Sequence, residues 1–393
     1  MKKGNLLLLF VLLSAMSFAQ NTLFLKAKSL FDNEKYSACQ SILNQLLISD
    51  EPSAEIMYMN ARCSKELFLT DAIFLYNDLN KTFPYHEYKD RVNNDLALIY
   101  YREKQYYNAI SSFLKLKNIS NEKLFKLAYA YYMIDSLENA QLYFSRIMNN
   151  DSKFASASQY YFSSIEYHKG LYQSALSGFK KLLDDKRFGQ IVPYYISHIY
   201  FYQKEYHQLI VFAKPLSDNV DSSRRYEINR LLAEAYYQTG DYTNAINHFE
   251  IYIDQQEDVS SMDYFFMGYS YYKLEKYEKT ITNLERVFNA SDSVMQYSSY
   301  YLGASYLALE QYNYALQAFK KSATYSFNKK LQEEAYFTYA KLSYQLDLPF
   351  ENTLNILNTY LENYNNPLHK EKISSLMAKI FQATSKYSEA YTL

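Results

Sequence analysis

Residues that favour tight turns are scarce in this chain, which has seven glycines and six prolines among 393 residues. That scarcity excludes an all-β protein, whose many turns need such residues. Blocks of one charge are also missing, since 41 basic and 42 acidic residues are interspersed and leave a formal net charge of −1. No basic face is evident, so we predict no nucleic-acid partner. With 49% hydrophobic residues, the chain is too apolar to be disordered.

Long hydrophobic runs are absent except near the start, where Leu6–Leu13 follows two lysines. This run has about half the length that a membrane-spanning helix needs. Because small residues follow it, segment 1–19 is predicted to be a signal peptide cleaved after Ala19, and the alternative is an uncleaved anchor. The residue directly after that position is Gln20, so the predicted amino terminus has no cysteine to accept a lipid. We therefore expect an exported chain with no membrane span after signal cleavage.

Motifs that would carry chemistry are missing as well. The glycines are scattered, so the sequence has no phosphate-binding loop, no dinucleotide-binding turn and no nucleophile elbow. The six histidines are not paired at metal-ligand spacing on one helix face. We predict no catalytic residue, no metal site, no cofactor and no enzyme activity.

A repeat of about 35 residues runs through the whole chain. Each unit has an anchor position, which is usually an aromatic residue. A small residue often follows three positions after the anchor, and a second aromatic residue often follows seven positions after it. The anchors are Tyr36, Leu69, Tyr106, Leu137, Tyr172, Tyr206, Tyr242, Tyr277, Tyr312, Phe350 and Tyr387. A fixed period of this length indicates a stacked array of helical hairpins.

Each unit is predicted to contain two helices. In the unit at 226–253, apolar residues recur at three- and four-residue spacing up to Gly240-Asp241, and a second periodic run then begins at Tyr242. Small residues nine positions before most anchors and three after many of them would let the two helices approach closely. Pro215 lies inside the second helix of its unit and should end that helix early.

With Leu232-Ala233, Tyr236, Gly240-Asp241-Tyr242, Ala245 and Phe249, this unit resembles the tetratricopeptide repeat (TPR). The resemblance covers 20–393 and implies an all-α fold, an α-solenoid that forms a right-handed superhelix of about eleven stacked helical hairpins. The units are predicted to start near residues 20, 53, 90, 121, 156, 190, 226, 261, 296, 334 and 371. The last unit stops early in its second helix, so we expect either a fragment of a longer protein or a last hairpin that docks on another molecule.

Cys39 and Cys63 are the only cysteines. In the predicted arrangement they lie on facing surfaces of the first two units, and the predicted compartment is oxidising, so a disulfide is one interpretation. The other is two buried thiols that fill apolar space.

One side of each first helix carries the positions 12, 8 and 5 before the anchor, and the resemblance implies that this side lines the concave groove. Two units add polar residues there, namely His198 in one and Arg230 with Glu234 in the next. Tyrosine offers a large apolar area and a hydroxyl group, so the aromatic residues at these positions are predicted to bind a partner. They are Phe125, Tyr129, Tyr132, Tyr160, Tyr167, Tyr194, Phe201, Tyr237, Phe265, Tyr269, Tyr272 and Tyr300.

The abundance of tyrosine also has two simpler possible causes, a coding bias that enriches tyrosine and packing between helices. The resemblance implies a non-enzymatic protein-binding scaffold or adaptor of the bacterial cell envelope, periplasmic or associated with the outer membrane, that binds a protein or peptide partner. The alternatives are carbohydrate binding through the same aromatic residues and a purely architectural spacer.

Overall fold

The computed structural model describes residues 21–49, 53–217, 222–254, 258–346 and 348–384. Across these ranges the secondary structure is helical, with 21 α-helices, one 3₁₀ helix and no β-strand. The all-α prediction is confirmed. Segment 1–19, predicted to be a signal peptide, lies outside the described residues.

The chain divides into two compact units, here called unit 1 (up to Phe188) and unit 2 (from Gly189). Unit 1 contains α1 to α10, which pair in chain order as five helical hairpins. The helices are α1 (21–32), α2 (Tyr36–Ser49), α3 (Ala54–Glu66), α4 (Ala72–Thr82), α5 (Lys89–Arg102), α6 (Tyr106–Phe113), α7 (Asn121–Met133), α8 (Leu137–Ser145), α9 (Ala155–His168) and α10 (Tyr172–Lys180).

Unit 2 contains α11 to α21, which form five further hairpins and the first helix of another one. The helices are α11 (Val192–Tyr202), α12 (Tyr206–Ala213), α13 (Ser222–Gln238), α14 (Tyr242–Asp254), α15 (Ser261–Lys273), α16 (Tyr277–Leu284), α17 (Asp292–Ala308), α18 (Tyr312–Thr324), α19 (Lys329–Gln345), α20 (Phe350–Asn363) and α21 (Pro367–Ala383). The anchor Tyr387 lies outside the described residues.

The turn inside most hairpins has the same backbone geometry. A residue two positions before the second helix has a positive φ, for example Lys104 (59°) and Gly240 (80°). In the first of these turns the Gln105 backbone N–H donates to the Tyr100 carbonyl at 2.8 Å, and the Lys104 N–H donates to the Tyr101 carbonyl at 3.1 Å. This hydrogen-bonded helix end satisfies carbonyl groups that would otherwise lack partners and reverses the chain into the second helix.

Small residues lie where the two helices of a hairpin approach each other. Ala233 and Ala245 are both fully buried in the hairpin of α13 and α14. In the next hairpin, a Cβ atom added at Gly268 would lie 2.5 Å from the Leu284 side chain. The side chains at these positions therefore set how closely the helices pack.

Two irregularities have local causes. Helix α12 ends at Ala213 and is followed by a 3₁₀ turn over Lys214–Leu216, which confirms the early end expected from Pro215. In the second hairpin the positive φ lies at Phe68 (56°), and α4 begins only at Ala72, three residues after the anchor Leu69.

Helix starts are marked by capping side chains where the loops allow it. The Ser53 hydroxyl accepts a hydrogen bond from the Ile56 N–H, and the Asn366 side chain accepts from the Leu368 and His369 N–H groups. No helix in the described part of the chain combines the length and apolar character that crossing a membrane requires.

Candidate functional site

The twelve aromatic residues predicted to bind a partner are called the aromatic face here. All of them lie on the first helices of hairpins, from α7 to α17. None has an exposed side chain: Phe265 is buried, and the other eleven are half-buried. The aromatic face is therefore partly covered by its own neighbours, so packing accounts for a share of its area.

In unit 1, the aromatic face is organised around Tyr161. Its ring centroid lies 5.4 Å from that of Tyr129 and 5.2 Å from that of Tyr132, and both of those rings belong to the preceding hairpin. Phe125 approaches the same ring at 6.1 Å. Burial, together with the neighbouring tyrosines, raises the pKa of Tyr161 to about 12. These ring contacts join α7 to α9, and Ala128 and Ile165 belong to the same hydrophobic cluster.

Unit 2 contains a similar arrangement twice, in successive repeats. Tyr237 lies 4.4 Å from Phe266, and Tyr269 and Tyr272 each lie 4.8 Å from Tyr301, measured between ring centroids. In each case a tyrosine of one hairpin packs on an aromatic ring in the first helix of the next. Fixed rings lose little conformational freedom when a partner covers them.

The other predicted residues also pack on aromatic rings. Tyr160 lies 5.4 Å from Tyr161 and Tyr300 lies 5.6 Å from Tyr301, measured between ring centroids, so both join the groups described above. The centroid distances are 4.7 Å for Tyr160–Phe188, 5.9 Å for Tyr167–Tyr172, 5.3 Å for Tyr194–Tyr195, 6.1 Å for Phe201–Tyr206 and 5.5 Å for Tyr300–Phe319. Each of these residues therefore has at least one aromatic neighbour that holds its ring.

The sequence reasoning missed the residues on which these rings pack. Tyr161, Phe266 and Tyr301 all lie eleven positions before an anchor, so their shared spacing could have identified them. Tyr101 was also missed, although it lies five positions before Tyr106, like Tyr132 before its own anchor.

The tyrosine hydroxyl groups five positions before an anchor are of particular interest. Among the described residues, the hydroxyls of Tyr132, Tyr237 and Tyr272 make no hydrogen bond, although their rings are half-buried. Burial is the main cause that raises the pKa of Tyr237 and Tyr272, so both are neutral phenols at pH 7. Each can donate and accept one hydrogen bond to a bound molecule.

A group of polar residues interrupts the aromatic face in unit 2. Arg230 and Glu234 lie one turn apart on α13, with 3.7 Å between Nη1 and Oε2. Burial raises the pKa of Glu234 to about 7, although Arg230 opposes this shift. Burial, with Arg230 as a second cause, lowers the pKa of His198 to about 4. His198 is therefore a neutral imidazole at pH 7.

The two cysteines are both fully buried and present as thiols. The Cys39 thiol donates to the Ala27 carbonyl oxygen with 3.3 Å between the two atoms. A hydrogen bond between the two thiols raises the pKa of Cys63, and burial adds to this effect. The thiols are therefore neighbours, and a disulfide between them stays a prediction.

In the part of the chain that the structure describes, no three His, Cys, Asp or Glu side chains lie together in a way that could hold a metal ion. A buried polar network does surround Asp95, which is fully buried on α5. Its carboxylate accepts hydrogen bonds from Arg62, Lys65 and Tyr76. The network joins the second hairpin to the third, so its role is structural.

The family comparison agrees with this hairpin geometry. The sequence model of the tetratricopeptide repeat matches residues 231–258, which cover the end of α13, its turn and α14. The same hairpin recurs along both units with the same turn geometry. Residues 231–258 therefore match the tetratricopeptide repeat, and the hairpins before and after them have the same helical architecture. Curated proteins include no significant match to its sequence.

Solved structures with a similar fold are distant in sequence. The C-terminal part of a TPR repeat-containing protein from Cytophaga hutchinsonii is 19% identical, with 60% of this chain and 96% of that one covered and a TM-score of 0.45. A tetratricopeptide repeat protein from Parabacteroides merdae is 16% identical, with coverages of 64% and 98% and a TM-score of 0.38. The complex of Naa15/Naa10 bound to HypK-THB contains a chain that is 12% identical, with coverages of 95% and 62% and a TM-score of 0.48.

Proposed function

We propose that the chain is a non-enzymatic scaffold of the bacterial cell envelope that binds a protein or peptide partner on its aromatic face. Tetratricopeptide repeat arrays are protein-interaction folds, which supports the general role. The envelope location rests on the signal peptide predicted at residues 1–19.

One observation carries the proposal: the rings of the aromatic face are fixed, whereas several of its hydroxyl groups are unused. Tyr132, Tyr237 and Tyr272 pack edgewise or tilted against rings of the next hairpin, at centroid distances between 4.4 and 5.7 Å. Their hydroxyls make no hydrogen bond within the described residues. None of these hydroxyls is a buried atom without a partner, so they reach solvent and are available to a bound molecule.

This pattern suits a polypeptide. An extended segment presents carbonyl and N–H groups at regular spacing, which can pair with tyrosine hydroxyls, and apolar side chains that can cover the rings. The near-balance of charge favours recognition through apolar area and neutral hydrogen bonds over charge steering.

The test is site-specific photocrosslinking in cells that make the full-length protein. A benzophenone amino acid replaces Tyr132 or Tyr272, and the matched controls carry it at Tyr107 and Tyr314, whose side chains are 74% and 64% exposed. We expect a polypeptide to be crosslinked from Tyr132 and a polypeptide from Tyr272 in envelope fractions, and none from the controls.

Two results would contradict the proposal. If all four positions crosslink the same species equally, the aromatic face has no special role. If no polypeptide is crosslinked from the aromatic face while the protein is folded and exported, a polypeptide is not its partner. Recovery of the protein in the cytoplasm would refute the envelope location and leave the binding surface to be judged by the crosslinks.

A further inference from the structure

The polar residues that interrupt the aromatic face of unit 2 come from neighbouring first helices. Arg230 and Glu234 lie on α13, and His198 lies on α11, which packs against it. Their side chains are well covered: 32% of the Arg230 side chain and 16% of the Glu234 side chain are exposed, and His198 is 9% exposed. Three polar groups are thus placed together in an otherwise aromatic surrounding.

These three residues leave their hydrogen-bonding capacity unused. Within the described part of the chain, Arg230 donates no hydrogen bond and Glu234 accepts none. The Nδ1 atom of His198 is buried without a partner. A buried polar atom without a hydrogen bond costs about 1 to 3 kcal/mol. Among the three residues, His198 Nδ1 is such an atom, whereas the unpaired atoms of Arg230 and Glu234 reach solvent and are open to a ligand.

The separation of Arg230 and Glu234 suggests what that ligand is. At 3.7 Å, their nearest atoms are too far apart for a good hydrogen bond to each other. A carboxamide carries an acceptor oxygen and a donor nitrogen about 2.2 Å apart. Its oxygen can accept from the Arg230 guanidinium while its NH₂ group donates to the Glu234 carboxylate.

Charged ligands fit this pair less well. A ligand carboxylate would pair with Arg230 but would be repelled by ionised Glu234 and by Asp263, a buried carboxylate on α15 that helps to raise the pKa of Glu234. A ligand ammonium group would be repelled by Arg230. A neutral group with one donor and one acceptor meets neither penalty.

We propose that Arg230 and Glu234 form a subsite for the carboxamide side chain of an asparagine or glutamine in a bound polypeptide. His198 lies beside them as a neutral imidazole. The inference rests on the proposed function, because the subsite belongs to the same face.

Ionisation of Glu234 makes the subsite sensitive to pH. The carboxylate form accepts a stronger hydrogen bond from the ligand NH₂ group than the protonated carboxyl group does. With a pKa of about 7, the ionised fraction rises about tenfold between about pH 6 and about pH 8. Affinity for a carboxamide should therefore increase with pH over this interval.

Among the described residues, the charged or titratable groups around Glu234 include Arg230, Asp263, His198, Tyr206 and Tyr237. Burial is the main cause that lowers the pKa of His198 to about 4 and raises the pKa values of Tyr206 and Tyr237 above their usual range, so none of these three titrates between about pH 6 and about pH 8. The expected pH dependence therefore reports on Glu234.

The experiment uses the full chain and three blocked peptides of about nine residues. They share one extended framework with tyrosine and serine and differ only at the central residue, which is glutamine, glutamate or leucine. Calorimetric titrations at about pH 6 and about pH 8 measure the affinities. We expect the glutamine peptide to bind about tenfold more tightly than the other two at the higher pH, and to lose up to about tenfold in affinity at the lower pH.

Two variants locate the effect. Glu234→Gln keeps the size of the side chain and removes the charge that burial disfavours, so it should fold. We expect it to bind the glutamine peptide more weakly than the wild type does at the higher pH, because an amide oxygen is a weaker acceptor than a carboxylate, and to show no pH dependence. The control Glu278→Gln removes an exposed carboxylate on α16 of the same unit and should change neither property.

Several outcomes would overturn the subsite. Equal affinities for the three peptides, or no binding at about 5 mM peptide, would contradict it. So would a preference for the glutamate peptide that weakens above pH 7, since that is the behaviour of a carboxylate site. In all these cases the crosslinks from Tyr132 and Tyr272 still decide the proposed function separately.

Discussion

Asp95→Asn is the substitution from which we expect the largest loss of stability in unit 1. The Asp95 carboxylate is fully buried and accepts hydrogen bonds from Arg62 Nη1 at 2.8 and 3.0 Å, Lys65 Nζ at 2.9 Å and the Tyr76 hydroxyl at 2.7 Å. Asparagine has nearly the same shape but no charge, and its NH₂ group would face donors. Two cations would then lose their buried partner.

The expected magnitude follows from what remains. Removing one partner of a buried ion pair destabilises a protein by about 3 to 5 kcal/mol. Arg62 and Lys65 keep contacts with Glu66 at 2.9 and 3.1 Å, and their side chains are 30% and 16% exposed. We therefore expect the lower end, about 3 kcal/mol. Tyr76→Phe removes one hydrogen bond to a charged group and should cost about 1.5 to 2 kcal/mol.

Amide hydrogen exchange is the suitable assay, because repeat arrays lose their structure segment by segment. The free energy of opening is measured for amides of α3, α4 and α5 in the full chain. The control is Asp90→Asn, which changes a half-exposed carboxylate on the same helix, 3.7 Å from Lys117, and should cost less than about 0.5 kcal/mol. The reasoning is refuted if Asp95→Asn costs no more than Tyr76→Phe or the control.

Two further predictions concern unit 2. Burial raises the pKa of Glu234 from 4.5 to about 7. The contribution of Glu234 to stability is therefore full below pH 4.5 and is lost as the pH rises to about 7, a change of about 3 kcal/mol in the free energy of unfolding. Amide exchange in α13 should show this pH dependence in the wild type and not in Glu234→Gln, and parallel pH profiles of the two proteins would contradict it. Gly268→Ala places a Cβ atom 2.5 Å from Leu284 Cδ2. Although alanine has the better helix propensity, we expect the free energy of opening to fall by about 1 to 2 kcal/mol in the same assay. A gain in stability would show that the two helices can separate without penalty.

Periodicity alone predicted much of this fold. Apolar residues at helical spacing and small residues at fixed distances from the anchors identified the hairpins, because such positions must face another helix. The backbone conformation of the turns was harder to predict from the sequence. Gly170 and Gly240 mark positions of positive φ, but Lys104, Asp135, Glu275 and Glu310 adopt the same conformation without any preference for it. There the tertiary contacts of the hairpin outweigh local preference.

The candidate site was predicted in part. Spacing placed Tyr132 and Tyr237 on one side of their helices, but it could not show that Tyr161 and Phe266 cover their rings, because this depends on how successive hairpins are rotated. The buried position of Asp95 was also invisible, since its partner Arg62 is 33 residues away and both look like ordinary surface residues in sequence. Such pairs become evident only when two repeats are placed side by side.

The hairpins of each unit have a kinetic consequence. The main contacts of every helix are with helices one or two places away in chain order. Folding therefore needs no closure of long loops, and chains with such local contacts fold quickly for their size. A hairpin can complete its packing as soon as the next hairpin has formed. Each unit should therefore fold hairpin by hairpin and unfold from its ends.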